Sequence, residues 1–294
     1  MKISGNIVAV VTPMQADGAI DENCLGDFLD ELIEQGANGV VIAGTHRELP
    51  TLSMHEHRQL IAFAIKSVGG RIPVIAGVGA NATAELVELT KNAQADGADA
   101  GLSVVPYYNK PPQEGLYRHF STIADSCSLP MLLYDVPGRC ITTFETDTLV
   151  RLAEHENIIG IKDATGDIPL GVTRMRHLPD DFIFLSGDDK TAKAYIQAGG
   201  AGVISVTGNL VPAKMSAMIK AARDKDNEKA DALDADMADF HLAQSVQANP
   251  IPLKWVLADT GKIPAGIRLP LTPLAETRHA IVRDAAQKAF KDFL

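Results

Sequence analysis

Two residues at the ends of apolar runs are placed to do covalent chemistry. In "NIIGIKDAT" Lys162 follows a run of apolar or small residues, and in "PMLLYDVP" Tyr134 ends another. If both runs are strands covered on two faces, burial disfavours the ammonium of Lys162, lowers its pKa and leaves a nucleophilic amine able to form a Schiff base. A phenol on the neighbouring strand at the same level could move protons during addition and dehydration. Plainer readings stand beside these: Lys162 could reach to solvent or pair with Asp163, and Tyr134 could simply satisfy its hydroxyl in the core.

Further polar groups fall at comparable positions. The second apolar run ends in Thr45, the fourth in Tyr107 and Tyr108, and Arg139 lies just beyond the fifth. Metal chemistry has less support. His55 and His57 are two apart on an expected helix and face different ways. Asp188 and Asp189 in "SGDD" lack a third ligand at recognisable spacing and are expected to cap the helix that follows. Their charge sits where many barrels bind phosphate, which argues against a phosphorylated substrate. Cys24, Cys127 and Cys140 are odd in number and show no CxxC spacing, so neither a disulfide framework nor a zinc site is indicated. Cys140 has no evident His partner and reads as structural.

The elements that must position these groups recur eight times. Apolar runs of strand length, "NIVAVVT", "NGVVIAG", "IPVIAGVG", "DAGLSVVP", "PMLLYDVP", "NIIGIKDA", "FIFLSGDD" and "AGVISVTG", alternate with amphipathic stretches such as "CLGDFLDELIEQG". Several of these stretches end in Gly before the next strand, as a helix C-cap does. Strands apolar throughout need cover on both faces, as parallel strands with crossover helices have. A (β/α)8 TIM barrel follows, with working groups on the loops at the C-terminal strand ends. A doubly wound sheet would offer GxGxxG after its first strand. Here that strand runs into "TPMQADG", and "AGVGANAT" lacks the spacing. From about residue 227 the pattern is helix alone, giving a barrel domain over 1–226 and a helical C-terminal region over 227–294.

With 294 residues and 46% hydrophobic content the chain can bury a large core. Its net charge of −10 disfavours nucleic acid and anionic lipid as partners. The first apolar run, Ile7 to Val11, is far too short to span a membrane. The expectation is an unanchored, cytoplasmic protein acting on a small substrate.

Together, "IVAVVTPM", "PVIAGVGANATAE", "VVPYYNKPPQEGLYRHF", "LLYDVPGR", "NIIGIKDATGD", "LSGDD", "GVISVTGN", "NPIPLKW" and "RLPLTPL" give the sequence its likeness to a known family. From about Ile3 to Pro273 it resembles the dihydrodipicolinate synthases, among the pyruvate-dependent aldolases that include N-acetylneuraminate lyase. The resemblance implies that Lys162 forms an imine with pyruvate, whose enamine attacks L-aspartate 4-semialdehyde on the route to lysine and diaminopimelate. It makes Tyr134 the proton donor and acceptor, with Thr45 and Tyr108 completing a relay and Tyr108 reaching into a neighbouring subunit. Arg139 would meet the semialdehyde carboxylate with its planar fork. Backbone groups of Thr45, His46, Gly187 and Ile204 would hold pyruvate. It implies no metal or organic cofactor, a homotetramer of two dimers, and lysine as an inhibitor at His57, Asn81, Glu85 and Tyr107.

One segment departs from the pattern. Where these synthases read Gly-Thr-Thr-Gly-Glu-Ser, this chain reads Gly44, Thr45, His46, Arg47, Glu48, Leu49. If the glycine position needs positive φ, Arg47 costs ~1–3 kcal/mol there. Arg47 could add a cation for a more acidic substrate, or His46 a base near the enamine. Alternatively, one base gained and one lost turns ACC ACC GGN into ACC CAC CGG and changes these two residues alone. Leu49 and Met54 also depart, at positions where lysine-inhibited members carry Ser and His. Two alternative functions therefore stand beside the synthase: another pyruvate-dependent lyase, such as one acting on N-acetylneuraminate, or a relative impaired by this loop.

Overall fold

The computed structural model describes residues 2–44 and 51–290. Its strands are β1 (Gly5–Ala9), β2 (Gly39–Ile42), β3 (Val74–Gly77), β4 (Ala100–Val104), β5 (Met131–Asp135), β6 (Ile158–Asp163), β7 (Ile183–Ser186) and β8 (Gly202–Ser205). Each pairs in parallel with the next, and β8 closes on β1 through Gly5↔Gly202 to Val8↔Ser205. The sequence expectation of a (β/α)8 barrel is met.

The covering helices are α1 (Glu22–Glu34), α2 (Met54–Val68), α3 (Thr83–Asp96), α4 (Gln113–Ser126), α5 (Pro137–Cys140), α6 (Thr146–Ala153), α7 (Ile168–His177), α8 (Ala192–Gln197) and α9 (Pro212–Arg223). Helix α1 shows why they form. Leu25, Phe28, Leu29 and Leu32 recur at helical spacing and are the buried stripe, worth about 1.5–3 kcal/mol each in area removed from water. Asp21 caps its start by accepting from the Cys24 N–H. Gly69 and Gly97 end α2 and α3 in the left-handed conformation, the stop signal expected of them.

Beyond the barrel come α10 (Asn227–Ala243), α11 (Ile251–Asp259) and α12 (His279–Phe290). Helix α10 is charged on one side and buries Met237, Phe240 and His241 on the other. It packs against α9 and α12, and the fully buried Lys214 of α9 holds Asp236 of α10 at 3.1 Å.

Candidate active site

Register places the two chemical groups side by side. On adjacent strands Tyr134 pairs with Lys162, and Asp135 with Asp163. Successive strand residues face opposite ways, so Tyr134 and Lys162 turn into the barrel while the two carboxylates turn out toward α7. Lys162 is only 5% exposed, and its Nζ sits 4.2 Å from the centroid of the Tyr134 ring. The pairing of Lys162 with Asp163, open in the sequence, does not occur. Asp163 accepts instead from Thr165 through one oxygen and from Arg174 through the other.

Gly187 completes the setting of the amine. A Cβ added there would come within 3.0 Å of Cγ and Cε of Lys162, so a side chain would push the lysine stem aside. Its N–H donates to the Asp163 carbonyl at 2.7 Å, which ties the end of β7 to β6.

A cavity of about 280 Å³ opens over these groups at the C-terminal strand ends and is lined by Tyr134, Lys162, Arg139 and Gly187. Arg139 is carried there by α5, the short turn after β5, and its Nη2 donates to the Asn249 carbonyl at 3.2 Å. Ile204 lies deeper, buried in β8 opposite Ile7, and Val206 two residues on lines the cavity. Tyr108 does not face it within this chain: it is 90% exposed and holds a φ of 73°. Thr45 and His46, with Arg47 and Leu49, lie outside the described residues.

The residues assigned to lysine lie apart from this cavity. His57 is buried and its Nε2 lies 2.7 Å from the Gly77 carbonyl, while Glu85 is exposed. Asn81 donates to the Tyr107 carbonyl at 3.3 Å. Burial lifts the Tyr107 phenol above its ordinary range, with the Glu85 charge adding to the effect.

One reading from sequence needs correction. Asp188 and Asp189 do not cap α8, whose N-cap is Thr191 with no side-chain bond. Asp189 Oδ2 accepts from the N–H groups of Val206 and Thr207 at 2.9 and 2.8 Å. The carboxylate thus satisfies the orphan donors of the 3₁₀ turn after β8, a neighbour in the sheet and not in the chain. Helix α10 also reaches the site. Its last turn and the following segment form one wall of the cavity through His241, Gln244 and Asn249. Thr207 Oγ1 lies 2.8 Å from Nδ1 of His241. His241 Nε2, both amide atoms of Gln244 and Asn249 Oδ1 are buried without a hydrogen-bond partner among the described residues. Sequence reasoning missed this wall. The only signal was the polar "AQSVQAN" interrupting two helices.

Cys140 is buried, and burial pushes its thiol up to about 11, which keeps it protonated and inert. Among the described residues no group of three or more His, Cys, Asp and Glu could hold a metal ion, and no helix is long and apolar enough to cross a membrane.

The family model described as "Dihydrodipicolinate synthetase family" matches residues 2–289. The 4-hydroxy-tetrahydrodipicolinate synthase of Thiobacillus denitrificans is 49% identical over 285 residues, 97% of this chain and 96% of that protein. That of Azoarcus sp. is 48% identical over 287 residues, 98% of each. Among solved structures, the chloride-inhibited dihydrodipicolinate synthase of Acinetobacter baumannii, complexed with pyruvate, superposes with a TM-score of 0.96. It is 49% identical and matches over 98% of this chain and 99% of its own. The enzyme of Cyanidioschyzon merolae with lysine bound superposes at 0.94 and 35% identity, over 98% and 99%. A likeness that runs through both sequence and fold over nearly every residue has one reading: the chain belongs to the dihydrodipicolinate synthetase family.

Proposed function

We propose that this enzyme, a lyase, condenses pyruvate with L-aspartate 4-semialdehyde to 4-hydroxy-tetrahydrodipicolinate, through an imine on Lys162. Nζ adds to the keto carbon of pyruvate and water leaves. Loss of a methyl proton from the imine gives the enamine, whose carbon attacks the aldehyde of the second substrate, and the amino group of that substrate then displaces Nζ from the imine carbon, which closes the ring and frees Lys162. Tyr134 supplies and accepts the protons, with Thr45 and Tyr108 as relay. Arg139 holds the semialdehyde carboxylate, and backbone groups of Thr45, His46, Gly187 and Ile204 hold pyruvate. The observation that carries this reading is the buried amine of Lys162 set against the Tyr134 ring beneath a polar cavity. The reading calls for no metal or organic cofactor, because the protonated imine itself withdraws the electrons that carbanion formation needs.

The exposure of Tyr108 supports its use by a second copy of the chain, and the reading takes the enzyme to be a cytoplasmic homotetramer. Lysine as a regulator rests on the neighbouring Asn81, Tyr107 and Glu85, with His57, and is weakened by Leu49 and Met54 at two of its positions.

Borohydride reduction in the presence of pyruvate tests the core of this reading. The expected result is one reduced pyruvate on the Lys162 peptide, lost in Lys162→Met, with condensation product formed when the semialdehyde is present. Absence of trapping, or trapping on another lysine, overturns it. Trapping without product would mark the altered 45–49 segment as damaged.

A further inference from the structure

Behind the reacting pair lies a second, buried group that this chemistry does not touch. Arg174 of α7 is fully buried, and its guanidinium spans both outward-facing carboxylates. Nη1 donates to Asp163 Oδ2 at 2.9 Å, and Nη2 to Asp135 Oδ2 at 2.8 Å. Those carboxylates belong to the residues directly after Lys162 and Tyr134. Nη2 also donates to the Phe144 carbonyl at 2.7 Å, and Thr143 Oγ1 donates to Asp135 Oδ2 at 2.7 Å. Both lie in the segment that leaves α5, the turn carrying Arg139.

A stabilising role for the fold is the plain alternative, and as stability this cluster is expensive. Three charges are buried for a net of one negative, and Asp135 Oδ1 and Arg174 Nε have no hydrogen-bond partner among the described residues. Burial lifts the Asp135 carboxyl above its ordinary range even with the guanidinium against it. Apolar residues of similar volume often serve a core as well or better than a buried ion pair. What a planar two-pronged cation adds is geometry. It fixes how far the ends of β5 and β6 stand from each other, and strand alternation passes that spacing to the side chains on the inner face. Without it, two carboxylates at paired register positions repel at the level of the amine and the phenol.

We propose that Arg174 is a positioning residue for the Schiff-base chemistry, setting the relative depth of Lys162 and Tyr134 by gripping Asp163 and Asp135 from behind. This rests on the function proposed above. The two are separable, because that reading fails if wild-type enzyme is not trapped by pyruvate, whereas this one is judged only on variants of a trapping enzyme.

The test compares Arg174→Lys, Arg174→Gln and Thr143→Val with Lys214→Met, which breaks the ion pair of another fully buried cation, at α9–α10. Each is followed by thermal melting, the rate of pyruvate trapping, and kcat and KM across pH. A misplaced reacting pair costs on the order of 100-fold in rate. Arg174→Gln is therefore expected to lose about that in kcat, with the KM for pyruvate moving less than about threefold and the pH limbs of kcat displaced. Arg174→Lys, which keeps the charge but not the fork, is expected to recover part of the loss, and Thr143→Val to show a smaller loss of the same kind. Lys214→Met is expected to melt lower with kcat and pH profile intact. The proposal is overturned if Arg174 variants only melt lower, or if Lys214→Met loses kcat in the same proportion to its melting change. Should neither Arg174 variant fold, Thr143→Val decides: a displaced pH profile supports the proposal, and an unchanged one overturns it.

Discussion

The two walls of the cavity are built on opposite terms. On the β5–β6 side the reacting groups sit at paired positions of adjacent strands, and the residue behind each is held by one buried guanidinium. On the α10 side His241, Gln244 and Asn249 carry buried polar atoms with no partner among the described residues. An unmet buried hydrogen bond costs ~1–3 kcal/mol; Asp135 Oδ1 and Arg174 Nε carry that cost behind the fixed wall and away from the cavity, whereas His241, Gln244 and Asn249 line the cavity itself. The contrast separates two tasks: one wall fixes the atoms that make and break bonds, and the other holds hydrogen-bonding capacity open for a ligand.

The most severe way to probe the fixed wall is to remove the proton carrier and leave everything else. Tyr134→Phe keeps the ring under Lys162 Nζ and deletes only the hydroxyl. A general acid–base group contributes ~10²–10⁴-fold, so kcat is expected to fall by that order while the KM for pyruvate changes little. Steady-state kinetics over a range of pyruvate concentrations reads both, and equal turnover would remove Tyr134 from the chemistry.

Next in size is the substitution of the residue that joins the two walls. Arg139 leaves the β5 side and donates to the Asn249 carbonyl on the other. Arg139→Lys retains the charge and loses the fork, and a charge-assisted hydrogen bond is worth about 1.5–3 kcal/mol. The KM for the semialdehyde is expected to rise roughly 10- to 100-fold with pyruvate trapping unaffected. A matching rise in the KM for pyruvate would mean that Arg139 shapes the whole cavity and not the second substrate's place.

A gentler probe addresses the open wall. Gln244→Leu replaces two unmet amide atoms with an apolar side chain of similar size. Chemical denaturation is expected to show the variant as stable as wild type or more so, and kinetics a KM for the semialdehyde a few-fold higher, about 1 kcal/mol. Lower stability with unchanged KM would show that Gln244 is held by the fold, which would erase the distinction between the walls.

What was legible in the sequence follows the same division. Lys162 and Tyr134 stood out because each is a polar interruption at the end of an apolar strand, and strand periodicity puts such residues at the barrel mouth. Arg174 could not be seen. In "IPLGVTRMRH" it is one of three basic residues in a final helical turn, and only the tertiary placement of α7 against β5 and β6 separates it from Arg176. Asp189 reads from sequence as a cap of the helix that follows it, but the donors it serves lie in the turn just past the end of the next strand. His241 and Gln244 belong to a helix whose charge pattern says surface, because periodicity reports that a face is buried without reporting what buries it.

A partly buried counterpart of the Arg174 clamp gives the smallest and most specific expectation. Arg268 holds Glu56 through both oxygens, at 2.7 and 3.1 Å, and donates to the Thr51 carbonyl at 3.0 Å, so it ties the start of α2 to the C-terminal region. Glu56 also closes a capping box with Ser53. The Arg268 hydrogen bond, followed by that from the Ser53 backbone, holds the Glu56 carboxyl at about 2, below its ordinary 4.5. A carboxyl lowered in the fold stabilises the protein above its unfolded pKa, and that stability is lost as pH falls through the folded one. Glu56→Gln is therefore expected to cost on the order of 1 kcal/mol above about 4.5. The difference from wild type should shrink as pH approaches about 2, when the native carboxyl is protonated as well. Denaturant melts at both ends of this window check it. A gap that stayed constant with pH would assign the contribution to the neutral capping geometry.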